Sequence, residues 1–351
     1  MAITKIPAAG FSDAVNFRNI IINGDMSIAQ RGTSETGITG SSFVVDRFKF
    51  LPTSMGTWTQ SQSTTVPSGQ GFANSIKLDC TTADASPAAG DHIRLLYNME
   101  GQHLQYLKKG TSSAESLTLS FWVRSNKTGT YICEIYDHEN ARQISKSYTI
   151  SSADTWEKKT LTFAGDTSGT LSNDNSLRMT CTFFLGAGSN FTSGTLNTSW
   201  NSATTANRAV GQVNLADSTS NEWYVTGVQL EAGTAASEFE FLPVDVNKRR
   251  CLRYTQVLPP SNFSGQFYAA THARFYNQLK PEMRSSPSFS FSGSLTNAVE
   301  EVGVATRTPT NVTLNNSNER SFGLTAEGMS SGTSQNMAHL GSITITFNSE
   351  L

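Results

Sequence analysis

Charge is scarce in this sequence. Only 15% of its 351 residues are Asp, Glu, Lys or Arg, against roughly a quarter in an ordinary soluble protein. The two signs nearly balance, 26 Lys and Arg against 28 Asp and Glu, for a formal net charge of −2. Binding to nucleic acid or to an anionic membrane surface asks for a basic excess, so neither is expected as the main role. No apolar run approaches the ~20 residues that cross a bilayer. The opening stretch MAITKIPAAGFSDAVNF lacks an apolar segment of signal-peptide length behind a basic start. The expectation is therefore a chain made in a cytosol, leaving it by lysis or assembly. Cysteine is sparse too: Cys80, Cys133, Cys181 and Cys251 lie far apart with no CxxC pair. In a chain able to build its own core, such residues read as buried free thiols rather than disulfides. HExxH, P-loop, GxGxxG and Ser nucleophile-elbow patterns are all missing.

Ser, Thr, Asn and Gly take the place of charge. The first three compete for backbone hydrogen bonds and Gly costs helix entropy, so the mixture suits sheet surfaces and tight turns. With 27 glycines, 20 phenylalanines and 37% hydrophobic residues, the chain reads as turn-rich all-β with a real core, not as disordered. Alternation supports this. In SLTLSFWVRS, Leu117, Leu119, Phe121 and Val123 share one face while Thr118, Ser120, Trp122 and Arg124 share the other. Ile76, Leu78 and Cys80 alternate within FANSIKLDC, and Met179, Cys181 and Phe183 within SLRMTCTFFLGAG. Strands are expected on both sides of a turn at Asn23-Gly24-Asp25, at 42–52, at 72–80 and at 92–100, with one or two helical turns over 101–110. A meander is expected over 116–163, then strands at 176–188 and 222–233. Residues 186–220 form a long polar loop around Trp200; loops of this length are commonly functional or mobile.

These intervals, with no alternating helices, predict an all-β protein: an antiparallel jelly-roll β-sandwich followed by a second, smaller β-domain. The expected boundaries are an N-terminal arm over 1–19, the sandwich over 20–243, a linker at 244–250 and the small domain over 251–351. The arm reads either as a frayed terminus or as an attachment peptide.

The stretch LTLSFWVRSNKTGTYICEIYDHENARQISKSYTISSADTWEKKTLTF resembles a jelly-roll module of tail-fibre and other virion proteins of tailed bacteriophages, built like carbohydrate-binding domains. NIIINGDMSIAQRGTS, VVDRF and WYVTGVQLEAGTAASEFEFLPV resemble its other parts. KRRCLRYTQ, LKPEMRSSPSFSFSG and FNSEL resemble a companion C-terminal module. The resemblance implies a structural protein of the virion, at the tail or capsid surface, made in the host cytoplasm. In this reading it is a tail fibre or receptor-binding protein that contacts host surface glycans without covalent chemistry. It also implies other virion proteins as partners through the arm, and a homotrimer or another closed assembly. The alternatives are a capsid decoration, head fibre or tail adaptor of purely structural role, and a polysaccharide-degrading tail enzyme.

Enzymatic activity is not expected. In Asp137-His138-Glu139, neighbouring residues on a strand point to opposite faces, so the cluster reads as a solvated turn. A glycosidase needs two carboxylates about 5–10 Å apart, and no spacing singles out a pair among Asp91, Glu100, Asp137, Glu139 and Glu222. Sugar binding asks for less: an aromatic face against a pyranose ring, with amides or charged groups at the hydroxyls. Trp200, Trp122, Tyr131, Tyr136 and Trp156 are the candidate contacts, with core packing the competing assignment for each. Trp200 stands first because its loop is long and polar. If 125–129 is an even-length hairpin loop, Trp122 shares a face with Tyr131; an odd length sets it beside Tyr136. No cofactor is expected beyond the structural calcium that carbohydrate-binding jelly rolls often hold. The resemblance makes Asp25, Asp46 and Glu231 its conceivable ligands, against turn capping and solvation.

Overall fold

The computed structural model of the protein describes residues 17–260 and 263–351. Most of the expected arm over 1–19 lies outside the described residues. The chain forms two compact units. The first holds the described residues up to Ser27, Thr36–Ser42 and Lys49–Leu242; the second holds Ile28–Glu35, Phe43–Phe48 and Pro243–Leu351.

In the first unit the strands are β1 (Ser34–Ile38), β2 (Phe48–Thr53), β3 (Thr57–Ser63), β4 (Ser75–Thr82), β5 (His92–Glu100) and β6 (Leu117–Ser125). They continue as β7 (Gly129–Asp137), β8 (Arg142–Ile150), β9 (Glu157–Phe163), β10 (Leu177–Ala187), β11 (Asn201–Ser202) and β12 (Glu222–Ala232). One 6-stranded sheet runs β1-β3-β4-β12-β6-β9 and the other β11-β8-β7-β10-β5-β2, giving an antiparallel jelly-roll sandwich. Inward residues of both sheets close the core: Phe121 of β6 meets Phe183 of β10 edge-on, centroids 5.0 Å apart, and Phe183 lies 6.0 Å from Trp223 of β12. All four cysteines are buried free thiols. Burial pushes the Cys181 thiol up to about 12, so it behaves as a small apolar side chain.

The run from β6 to β9 is not a meander. β7 pairs with β8, while β9 returns across the sandwich to pair with β6. The 125–129 turn therefore joins two different sheets, and the choice between even and odd hairpin loops does not arise. Its side chains are tied elsewhere: Ser125 Oγ donates to Glu222 O at 2.6 Å and Asn126 Nδ2 to Ser220 O at 3.0 Å. Those bonds carry the chain across the sandwich, which alternation alone does not encode.

Two further expectations need correction. Residues 19–32 contain no strand. Their backbone is held by isolated bonds instead: Ile20 N–H donates to Leu230 O at 2.9 Å, Ile21 N–H to Asn19 Oδ1 at 3.0 Å and Ile22 N–H to the Tyr97 hydroxyl at 2.8 Å. Strands β1 and β3 were not anticipated, because the inward face of β3 includes Gln60, which is fully buried.

β12 carries a bulge between Thr226 and Gln229. Gly227 there has φ +62°, and a Cβ would stand 2.5 Å from the Phe72 ring. Gly227→Ala is expected to cost about 1–3 kcal/mol from left-handed strain and overpacking, lowering Tm by about 3–10 °C. Gly69, at φ +74° with nothing within 4 Å of an added Cβ, is the matched control. Calorimetry should find Gly69→Ala clearly milder; equal losses would contradict the packing argument.

The second unit begins with α1, the helix Val244–Leu252, where a linker was expected. Asp245 in its first turn and Arg249 and Arg250 in its last complement the helix dipole. Its strands are β13 (Thr255–Leu258), β14 (Phe263–Ala269), β15 (His272–Gln278), β16 (Ser288–Gly293) and β17 (Val299–Glu301). The rest are β18 (Ala305–Arg307), β19 (Asn311–Ser317), β20 (Ser321–Glu327), β21 (Met337–Leu340) and β22 (Ile343–Asn348). They form a 3-stranded sheet, β13-β22-β16, and a 7-stranded sheet, β18-β17-β21-β14-β15-β20-β19. Phe267, Phe275, Phe322, Leu324 and Phe347 lie in the core. The segments 28–35 and 43–48 belong to this unit through buried charge. Arg47 pairs with Glu350 and lies 3.4 Å over the Tyr254 ring, while Arg31 donates to Thr255 Oγ1 at 2.7 Å.

Candidate functional site

Alternation places a polar stripe on the outer face of the second sheet of the first unit. Asn98 of β5, Thr180 of β10 and Tyr136 of β7 stand in one cross-strand row. Leu96, Thr182 and Glu134 stand in the next. Their neighbours Tyr97, Cys181 and Ile135 point inward and are buried. The long 186–220 segment folds over the β8 side: Asn197 O accepts from Ser145 N at 2.6 Å, and Arg208 O from Ser145 Oγ at 3.0 Å. This brings the Arg208 guanidinium to the stripe and completes a pocket of about 310 Å³ lined by Lys49, Arg94, Asn98, Tyr136, His138, Thr180, Thr182 and Arg208, with Leu96 and Leu177.

The electrostatics follow from what lies under the lining. Glu134 is fully buried and accepts from Arg208 Nε at 2.8 Å and Nη2 at 2.6 Å, a two-point charge-assisted pair. That guanidinium also lies 4.8 Å from the Tyr136 ring centroid, fixing the aromatic wall. The His138 ring is 4.8 Å from Tyr136. Desolvation, with Arg208 nearby, holds the His138 imidazole below its ordinary range. Thr180 Oγ1 donates to Asn98 Oδ1 at 2.9 Å and lies 2.7 Å from His138 Nε2, which it accepts from. Burial, with Arg208 beside it, lowers the Arg94 pKa to about 10, and the group stays cationic.

This arrangement can hold a polar ligand. It has an aromatic wall, fixed hydroxyl and amide groups, and cations. Among the described residues no carboxylate lines it, and Glu134 is already taken by Arg208. The paired acids of glycoside hydrolysis are therefore not assembled at this pocket.

Of the sequence candidates, Tyr136 lines the pocket. Tyr131 does not: it is fully buried, donates to Lys127 O at 2.8 Å and stacks on Tyr148 at 5.5 Å, so it is core. Trp122 belongs to β6 of the other sheet, and Trp156 immediately precedes its β9. Trp122 is half-buried opposite Thr226 and Lys158, and Trp156 lies 6.1 Å from Tyr224. Trp200 is half-buried, not a projecting contact. Its indole N–H donates to Ala164 O at 2.7 Å and its ring lies 5.4 Å from Lys109 Nζ. The calcium candidates are not brought together. Asp25 accepts from Ser27 Oγ, Asp46 from Gln30 N, and Glu231 from Ser237 N. Among the described residues no group of three or more His, Cys, Asp or Glu can hold a metal. Asp137 caps its turn, accepting from Glu139 N at 2.9 Å and Asn140 N at 3.0 Å.

Sequence reasoning missed Arg94, Asn98, Thr180, Thr182, His138 and Arg208. The signal was present in part: RxLxN in β5 and TxT in β10 are polar at outward positions. Nothing local announced Arg208. In the second unit a separate concavity of about 630 Å³ holds Tyr276, 60% exposed, among Asn277, Gln278, Asn316 and Asn318.

No family model and no curated protein matches the sequence. Solved structures of similar fold include bacteriophage CBA120 tailspike protein 4, enzymatically active domain, at 13% identity and TM-score 0.32. That match covers 62% of this chain and 22% of the other. A putative sugar binding protein from Bacteroides thetaiotaomicron VPI-5482 matches at 12% identity and TM-score 0.33, covering 61% of this chain and 99% of that one. A family 11 carbohydrate-binding module from Clostridium thermocellum, in complex with a β-1,3-1,4-mixed-linked tetrasaccharide, matches at 13% identity and TM-score 0.28, covering 59% and 98%. Among the described residues, no helix is long and apolar enough to cross a membrane.

Proposed function

We propose that this chain is a bacteriophage virion protein, a tail fibre or receptor-binding protein, whose first unit holds a host surface glycan non-covalently on the outer face of the β5-β10-β7 sheet. The observation that carries the reading is the pocket itself. Tyr136 is fixed as an aromatic wall beside Asn98, Thr180 and Arg208, and among the described residues no acid lines the space. A ring with one apolar face and equatorial hydroxyls complements that combination. The virion assignment rests on the sequence resemblance. Several copies per particle, as in a trimer, would convert a weak site into firm attachment.

The test is titration calorimetry with host surface polysaccharide fragments, then adsorption of particles carrying the same changes. Tyr136→Ala is expected to weaken binding about tenfold, corresponding to about 1.4 kcal/mol, and to slow adsorption. Unchanged affinity in Tyr136→Ala with loss in Tyr276→Ala would move the site to the second unit and defeat this assignment.

A further inference from the structure

The charges around this pocket are not equally answered. Arg208 has the buried Glu134 carboxylate beneath it. Arg94 is answered less fully. Among the described residues it makes no ion pair, although Glu134 favours its charged form at longer range and the Phe184 ring lies 6.0 Å away, and its Nη2 donates to His92 Nε2 at 2.6 Å. Its Nε is sealed from solvent without a hydrogen bond. His92 is a neutral acceptor: burial, with Arg94 beside it, lowers its pKa to about 4. Thr182 repeats the pattern. Its side chain is fully buried, it lines the same pocket, and its hydroxyl has no hydrogen-bond partner among the described residues.

The two groups are neighbours. Arg94 stands opposite Phe184 and Thr182 opposite Leu96, so they are diagonal positions on one face of adjacent strands. Withdrawing a partly satisfied cation and an unsatisfied hydroxyl from water is costly, more so beside a second guanidinium. Both groups can donate, and both residues line the pocket. A neutral sugar hydroxyl would satisfy the hydrogen bonds but leave the charge. An oxyanion answers both at once, with the charge-assisted geometry that guanidinium groups favour.

Building on the glycan-binding reading, we propose that the glycan is acidic, with the carboxylate or phosphate of one sugar unit seated on Arg94 and Thr182 while Tyr136 and Asn98 hold its ring. The pocket is then a cationic spot on a protein of net charge −2. Specificity would come from the anion, and ring stacking would set orientation.

The test pairs each acid with a neutral counterpart that keeps the ring. Oligogalacturonate and its methyl ester, sialyllactose and its methyl ester, and mannose 6-phosphate beside mannose are titrated calorimetrically into the full chain. At least one acid is expected to bind tenfold or more tighter than its counterpart, with the preference shrinking as salt rises. Whichever pair responds tells carboxylate from phosphate. In Arg94→Gln the acid-to-neutral ratio is expected to fall close to one. Thr182→Val, which keeps the volume, is expected to cut acid affinity about threefold to tenfold. It carries the test even if the arginine variant folds poorly. If neutral forms bind as tightly as acids and Tyr136→Ala weakens both, glycan binding stands and the acidic ligand is excluded. If no sugar of either kind binds, both readings fall.

Discussion

Lys109→Met is expected to destabilise the first unit by about 3–5 kcal/mol, the usual penalty for removing one partner from a buried ion cluster. Lys109 Nζ lies among Asp137, Asp166 at 3.0 Å, Ser168 O at 3.1 Å and Gly169 O at 2.8 Å, with its side chain 5% exposed. Asp166 is also held by Arg142 through two contacts of 2.8 Å. Methionine fills the space but leaves two buried carboxylates with one cation between them. The urea midpoint is expected to fall by about 1 M or more at an m-value of about 2–3 kcal/mol/M. Adding Asp137→Asn should recover part of the loss, because it removes one stranded charge. A single-variant loss below about 1 kcal/mol would show that the cluster is solvated after all.

The same cluster has a pH signature. Burial alone would raise the Asp166 carboxyl, but hydrogen bonds from Arg142 and Lys109 outweigh it and hold its pKa below the ordinary value. Asp166 therefore stabilises the fold fully above the unfolded-chain pKa of about 3.9. The contribution is lost as pH falls through the lower folded value. Asp166→Asn is expected to flatten the acid limb of a stability-versus-pH curve measured by thermal unfolding.

Phe183→Ala is expected to cost about 3–5 kcal/mol, as for a large aromatic deleted from a packed core. Phe183 is one of the rings through which the two sheets of the first unit meet: Phe121 packs edge-on at 5.0 Å and Trp223 lies at 6.0 Å. Truncation leaves a cavity between sheets whose backbones are fixed by their ladders and cannot close on it. Phe183→Leu should cost markedly less, because it restores most of the volume. Denaturant unfolding followed by near-ultraviolet circular dichroism reads both. Equal costs for Ala and Leu would mean that edge-on ring geometry, not filled volume, carries the contact.

Alternation made much of the first unit legible. β5 spans His92–Glu100, the limits read from the sequence, because inward Ile93, Leu95, Tyr97 and Met99 repeat there with a period of two. The same rule failed at Ile20–Ile22, buried but held by isolated backbone and side-chain hydrogen bonds rather than a ladder, and at β3, whose inward Gln60 mimics a solvent-facing residue. For the pocket, Tyr136 was legible as an aromatic on a strand. Its partners were not, because outward Thr180 and Thr182 read as ordinary surface until a distant segment covers one side. Trp200 misled for the opposite reason: a polar loop does not reveal that its tryptophan closes over the buried Lys109 cluster.

The sequence by itself determined an antiparallel all-β chain with free, buried thiols, because side-chain periodicity and turn chemistry are local properties. Only the tertiary structure decided which strands share a sheet, that 28–35 and 43–48 join the C-terminal unit, and that Arg94, Tyr136 and Arg208 meet. Those facts depend on pairings between residues far apart in sequence, where hydrogen bonds and buried charges at long range choose among arrangements that local pattern leaves equal.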